Sequence, residues 1–153
     1  LKKLLFSSIC FISLALTSCA SASTLENVEG KLFLIGNPVV SENTIYEVTS
    51  ASLTDKRGDT CNFNTTFVAK IEYTIKNDSN KNISIKQISA YTIAGIKLES
   101  SLKNSTDISI NPGEQVTNNF CFGLNQIDEI EIQFEPFSAK DTVSFKVTPI
   151  VID

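Results

Sequence analysis

Four carboxylates crowd one short stretch of this chain: Asp128, Glu129, Glu131 and Glu135. Paired carboxylates carry out glycoside hydrolysis, and clustered ones hold hard cations. The spacing argues for neither. Glu129, Glu131, Gln133 and Glu135 alternate with Ile130, Ile132 and Phe134, so they line the wet face of a half-buried strand. An acidic outer face solubilises a strand and discourages edge pairing. Asp55 with Asp59, and Asp78 with Asn80, lack the ligand density of a calcium loop. Serine and threonine are plentiful, but there is no histidine to activate them and no Gly-x-Ser-x-Gly elbow. Ser79-Asn80-Lys81 is accounted for as turn chemistry. No catalytic residue, no metal site and no cofactor is expected, and the chain is read as a non-enzyme. A hydrolase working through Glu129 and Glu131 alone is the enzymatic alternative.

The four cysteines fall into two groups. Cys10 and Cys19 lie in the first twenty residues, Cys61 and Cys121 in the body of the chain. The start reads as an export signal. Lys2-Lys3 is a basic n-region, and the apolar run 4–16 is too short for a permanent membrane span. Leu1 in place of Met reads as an alternative start codon, which points to bacteria. Leu16-Thr17-Ser18-Cys19 then resembles a lipobox, which makes Cys19 the candidate lipidation site. Ala20-Ser21-Ala22 is also a small-x-small cleavage site that would release a soluble protein at Ser23. The lipobox is preferred because its cysteine directly follows the apolar run. Ala20 in the next position resembles the outer-membrane sorting pattern. The expected destination is therefore the outer membrane as a lipoprotein, with a soluble periplasmic or secreted protein as the alternative.

Export bears on the other two cysteines. A pair of cysteines in an oxidising compartment usually joins, so a Cys61–Cys121 disulfide is expected. It also bears on charge. The chain has 13 basic and 17 acidic residues, and loss of Lys2 and Lys3 shifts the balance further negative. That balance excludes nucleic acid as the natural partner and electrostatic attachment to anionic lipid. Membrane attachment would come only through Cys19.

These residues need elements to position them. Residues 1–19 are read as the signal with its lipobox, 20–30 as a flexible tether and 31–153 as one domain. Alternation of apolar and polar residues recurs along that domain, with no helical period. Phe67, Ala69, Ile71, Tyr73 and Ile75 alternate with Lys70, Glu72 and Thr74. Asn77 to Asn82 breaks the pattern, and Ile83, Ile85, Ile88, Tyr91 and Ile93 resume it. This reads as a long central β-hairpin. Short strands are also expected at 31–35, 45–53, 96–98, 108–110, 116–122, 130–135 and 142–148. In 45–53, Tyr46, Val48 and Ser50 share a face. In 116–122, Val116, Phe120 and Phe122 share one face and Cys121 takes the other, unless a bulge resets the register. Asn111-Pro112-Gly113-Glu114 fits a type II turn. Seven to nine such strands indicate a single all-β, antiparallel β-sandwich of immunoglobulin or fibronectin-III type. The core tryptophan of an antibody domain is absent.

The pattern of an alternating strand at 67–76, Asn77-Asp78-Ser79-Asn80-Lys81, an isoleucine-rich strand at 83–93, Ala94-Gly95 and then Asn111-Pro112-Gly113-Glu114 carries a family resemblance. Over residues 45–134 the chain resembles the small exported bacterial fibronectin-III-like family that includes the interleukin-receptor mimic. It also resembles the immunoglobulin-like domains of bacterial lipoproteins. The resemblance implies a β-sandwich that binds a protein, and transfers no contact residue. The expected function is an exported, non-catalytic protein-binding module at the cell envelope or surface, with an assembly lipoprotein of an envelope or secretion complex as the alternative. The protein partner and its binding residues are not identified by the sequence. Phe63, Phe67, Phe137 and Tyr46 are the candidate exposed aromatics, with Phe137 foremost, although burial at an end of the sandwich is expected even for it. Asn-x-Ser/Thr triplets at Asn64, Asn77, Asn82 and Asn104 are expected to be unmodified in a bacterial protein.

Overall fold

The computed structural model describes residues 31–54, 57, 61–101, 108–137 and 141–151. The lipobox, Cys19 and the tether lie outside them, as do Asp55, Asp59 and Asn104. Among the described residues ten strands form: β1 (Leu32–Leu34), β2 (Val39–Ser41), β3 (Thr44–Thr54), β4 (Phe67–Asn77), β5 (Ile83–Thr92), β6 (Ile108–Ile110), β7 (Gln115–Leu124), β8 (Ile130–Pro136), β9 (Val143–Val147) and β10 (Ile150–Val151). They make two sheets packed face to face. One has the order β1-β9-β8-β5-β6, the other β10-β3-β4-β7, with β2 also pairing β3. The count exceeds nine because four strands are only two or three residues long. Pairing is antiparallel except at two edges, where β1 runs parallel to β9 and β10 parallel to β3.

The alternating residues meet between the sheets. Ala69, Ile71, Tyr73 and Ile75 of β4 face Ile130, Ile132 and Phe134 of β8 and Val143, Phe145 and Val147 of β9 in one buried cluster. Phe134 is its hub. Its ring lies 5.4 Å from Tyr73, 5.7 Å from Tyr46 and 5.8 Å from Phe145. Tilted and edge-on contacts of this kind add to the area term that drives burial.

The expected central hairpin does not form. β4 and β5 belong to different sheets, and the chain arches between them at 78–82. β4 pairs instead with β3 and β7, and β5 with β8 and β6. Alternation is equally satisfied by a strand partner or by a sheet stacked opposite, so the pattern does not distinguish the two. The arch is decided by Asn77, which is wholly buried. Its Nδ2 donates to the carbonyls of Lys81 at 2.7 Å and Ile110 at 2.9 Å. Its Oδ1 accepts from the backbone and hydroxyl of Ser79 at 3.0 and 2.6 Å. Its own carbonyl accepts from Gly113 N–H at 2.7 Å. That last bond ties the arch to the Asn111-Pro112-Gly113-Glu114 turn, which closes as expected with Gly113 at φ +76° and Glu114 N–H on Asn111 O.

Two bulges adjust the pattern. A register shift between Val48 and Ser50 sends Ser50 outward to Glu72 and Ala51 into the core, which corrects the expected face of Ser50. A second shift between Ile85 and Gln87 explains why the core isoleucines are Ile85 and Ile88 rather than two apart. No shift occurs between β4 and β7, so Phe120 and Phe122 face the core and Cys121 faces outward.

Among the described residues one buried side-chain polar atom has no partner. The Tyr73 hydroxyl is buried and makes no hydrogen bond. Tyr73→Phe is expected to stabilise the fold by about 1–2 kcal/mol, because it removes an unsatisfied polar group without opening a cavity. Urea unfolding of the two proteins measures it. Burial also pushes the Tyr73 phenol up to about 12 and the Tyr46 phenol upward as well. An unfolded tyrosine ionises near pH ~10. Stability present below that pH is therefore lost as pH climbs from there through the folded value, and Tyr73→Phe narrows the loss.

Candidate functional site

The strands define two ends. β3, β5, β7 and β9 finish at one, where β4 and β8 begin. This upper end carries three features that the core does not require.

The first is the β5 tip. Gly95 takes φ +79° and its N–H bonds Thr92 O at 2.8 Å, while Thr92 N–H bonds Ile96 O at 2.9 Å. Glycine is suited to that left-handed position. The turn holds Ile93 and Ile96 outward, 66% and 65% exposed. The second is the β7–β8 connection. Asp128 Oδ1 accepts from Glu129 N–H at 2.7 Å, and Ile127 beside it is 46% exposed. Nearby charge is mixed: Glu99, Asp128 and Lys97 are exposed, and Glu129 pairs with Lys146 at 2.7 Å.

The third is a flap, residues 61–66, lying on the outer face of β4 and β7. Cys61 and Cys121 form the expected disulfide, with Cα atoms 5.6 Å apart. Phe63, Val68 and Cys121 make a small buried cluster of their own, with Cys61 packed against it. Gly123 leaves room for it: a Cβ there would meet Thr65 Oγ1 at 2.7 Å and Phe63 Cβ at 2.9 Å. Arg57 gathers the flap by donating to the carbonyls of Phe63, Thr65 and Thr66. The flap was not legible as such, since 54–59 reads only as a charged loop. An arginine followed closely by a cysteine and a phenylalanine was the signal.

The acidic residues do not converge. Glu131 and Glu135 lie outward along β8, where Glu131 accepts from Gln133 at 2.9 Å and Glu135 pairs with Lys86 at 2.6 Å. On the other sheet Lys70, then Ser50, hold the Glu72 carboxyl below the usual carboxylate range through hydrogen bonds. Asp78 pairs with Lys76 at 2.7 Å. Among the described residues no group of three potential metal ligands occurs. Of the candidate aromatics, Tyr46 and Phe63 are buried and Phe67 half-buried, whereas Phe137 is 57% exposed. The expected burial of Phe137 is thus corrected: its N–H ends the sheet on Ser84 O, and its ring lies beyond the last core layer. Of the four asparagine triplets, Asn77 is buried with its amide committed, so only Asn64 and Asn82 are exposed among the described residues.

No protein-family profile matches the chain, and no curated protein sequence does. Solved structures do. A candidate lipoprotein of Bacillus subtilis, YcdA, aligns over 72% of this chain at 18% identity and a TM-score of 0.59. This chain spans only 38% of that structure. The YjhA protein of Bacillus subtilis aligns over 77% of this chain and 99% of its own, at 14% identity and a TM-score of 0.55. The secreted protein MPT63 of Mycobacterium tuberculosis aligns over 79% and 100%, at 11% identity and a TM-score of 0.54. At these identities the shared property is the fold. They support the β-sandwich part of the family resemblance and say nothing of receptor mimicry.

Proposed function

We propose that this chain is an exported bacterial β-sandwich, held at the cell envelope through lipidated Cys19, that binds another protein without catalysis. The observation that carries the reading is the upper end, where Ile93, Ile96 and Ile127 are displayed on turns fixed by hydrogen bonds. Isolated exposed apolar residues need no explanation, but three on adjoining loops of a rigid scaffold suit recognition. Support for export comes from the leader-like residues 1–19 and from the lipoprotein and secreted neighbours that share the fold. An assembly role in an envelope complex is the second reading. It is favoured by the short edge strands β1 and β10, which display Leu32, Leu34, Ile150 and Val151.

The test compares the full chain with a variant carrying Ile93→Ser, Ile96→Ser and Ile127→Ser. Each substitution is expected to change folding stability by less than about 0.5 kcal/mol, because the side chains are exposed. Proteins cross-linked to the wild type in intact cells should be lost with the variant. Unchanged cross-links would exclude this end as the contact, and an intact mass without acyl chains on Cys19 would remove the anchor.

A further inference from the structure

The disulfide does not join the two sheets. Cys121 sits on the outer face of β7, opposite Lys70 of β4, and Cys61 reaches it from the flap that lies on that same face. The residues it gathers, Phe63 and Val68, form a cluster separate from the main core. Arg57, three residues past the end of β3, donates to the flap carbonyls of Phe63, Thr65 and Thr66, so these bonds run within the β3–β4 connection and not onto the outer face of β4 and β7. Phe63, packed over Val68 and Gly123, and the bridge both seat it on β4 and β7. The two cysteines also differ in exposure: Cys121 is buried and Cys61 is half-buried.

We propose that the Cys61–Cys121 bridge is a redox latch, which holds the 61–66 flap down when oxidised and lets it lift from an intact sandwich when reduced. The reductant is an external dithiol, of the class that exported thiol–disulfide oxidoreductases present. One of its thiolates attacks the Cys61 sulfur. The sulfur–sulfur bond of the bridge breaks, and its electron pair leaves on Cys121, which takes up a proton. The second thiolate of the reductant then attacks its own sulfur in the mixed disulfide, and Cys61 leaves and is protonated. The dithiol ends as a disulfide and the bridge as two thiols, a two-electron exchange. Release uncovers Val68, wholly buried in the closed form, and exposes Phe63. The flap runs into β4 at Phe67, which pairs with Leu124 at the end of β7, three residues before Ile127, so the redox state sets how much apolar surface the upper end presents.

Hydrogen exchange on the folded full chain, with and without dithiothreitol, tests the latch. Amides of residues 61–66 should exchange at least tenfold faster after reduction through a local opening that added urea does not promote, while those of Ile88, Ala90 and Ile132 in the core strands still exchange only through urea-dependent global unfolding. The Cys61→Ala variant, without reductant, should reproduce the same pattern. Two results overturn the proposal. If flap amides keep their protection on reduction, Phe63 alone holds the flap. If the flap amides of the reduced chain exchange only through the same urea-dependent opening as the core, the flap does not lift from an intact sandwich.

Discussion

Asn77→Asp is expected to be among the most damaging single substitutions in this protein, costing about 3–5 kcal/mol at neutral pH. The change is nearly isosteric, so packing is preserved and the loss isolates the hydrogen bonds. In the wild type the Asn77 amide nitrogen donates to two carbonyls, those of Lys81 and Ile110. An aspartate places an acceptor where both donations were, and its charge lies in a wholly buried site. Burying a charge against unpaired acceptors costs several kcal/mol, typically 3–5 when a partner is lost. Asn77→Ala should cost less, about 2–3 kcal/mol, because it leaves groups unsatisfied without adding charge. The aspartate effect has a pH signature. Its folded pKa is raised above the unfolded value of about 4. The deficit is therefore smallest below that pH and grows as pH rises through it. Urea unfolding of both variants at several pH values checks this. Equal deficits at acid and neutral pH would mean that the arch rearranges to expose the new carboxylate.

The second large effect concerns global stability rather than the flap. The double variant Cys61→Ser, Cys121→Ser should lose about 4 kcal/mol, by the chain-entropy relation for a loop of this length. The two cysteines are 60 residues apart, and β4, β5 and β6 lie between them. Restricting that loop removes conformations mainly from the unfolded chain. A domain typically keeps 5–15 kcal/mol of stability, so a folded sandwich should survive the loss. Equilibrium unfolding of wild type, reduced wild type and the double variant tests the cause. Reduced wild type and double variant should match each other. A loss below about 1 kcal/mol would show that the unfolded chain keeps 61 and 121 close without the bond.

Much of the class was written in the sequence. Alternation marked the inward residues of β4, β8 and β9 correctly, since a strand with one dry face has no other economical pattern. The Pro112-Gly113 turn was legible because backbone angles are local. The disulfide was legible from compartment and cysteine count. The bulges were not, because an extra residue in a strand changes the pattern only by comparison with a partner strand. The two-residue strand β10 and the three-residue β2 were not legible either, because they are too short to show a period. The Glu42-Asn43 turn before β3 also lacks the usual glycine, although both residues take positive φ.

The upper end was partly legible. Ile93 continued the isoleucine spacing of 83–93 and was read as part of the strand. Only the hydrogen-bonded turn at Thr92 shows that it lies past the last core layer. Phe63 and Phe137 were both candidate exposed aromatics, and of the two only Phe137 is exposed. Both are aromatics in loops, and burial there depends on whether another surface folds over them.

The carboxylates Glu129, Glu131 and Glu135 show the same division. Their alternation with Ile130, Ile132 and Phe134 was enough to place them outside the core, because side-chain direction along a strand is a local property. Their partners were not local. Glu135 meets Lys86 and Glu129 meets Lys146, each from a neighbouring strand. Sequence alone determined an all-β chain, its inward faces and the pairing of Cys61 with Cys121. Tertiary structure decided which sheet each strand joins, because inter-strand hydrogen bonds look alike from either partner. The buried amide of Asn77, contacting residues four and thirty-three positions away, selects the arch over the hairpin.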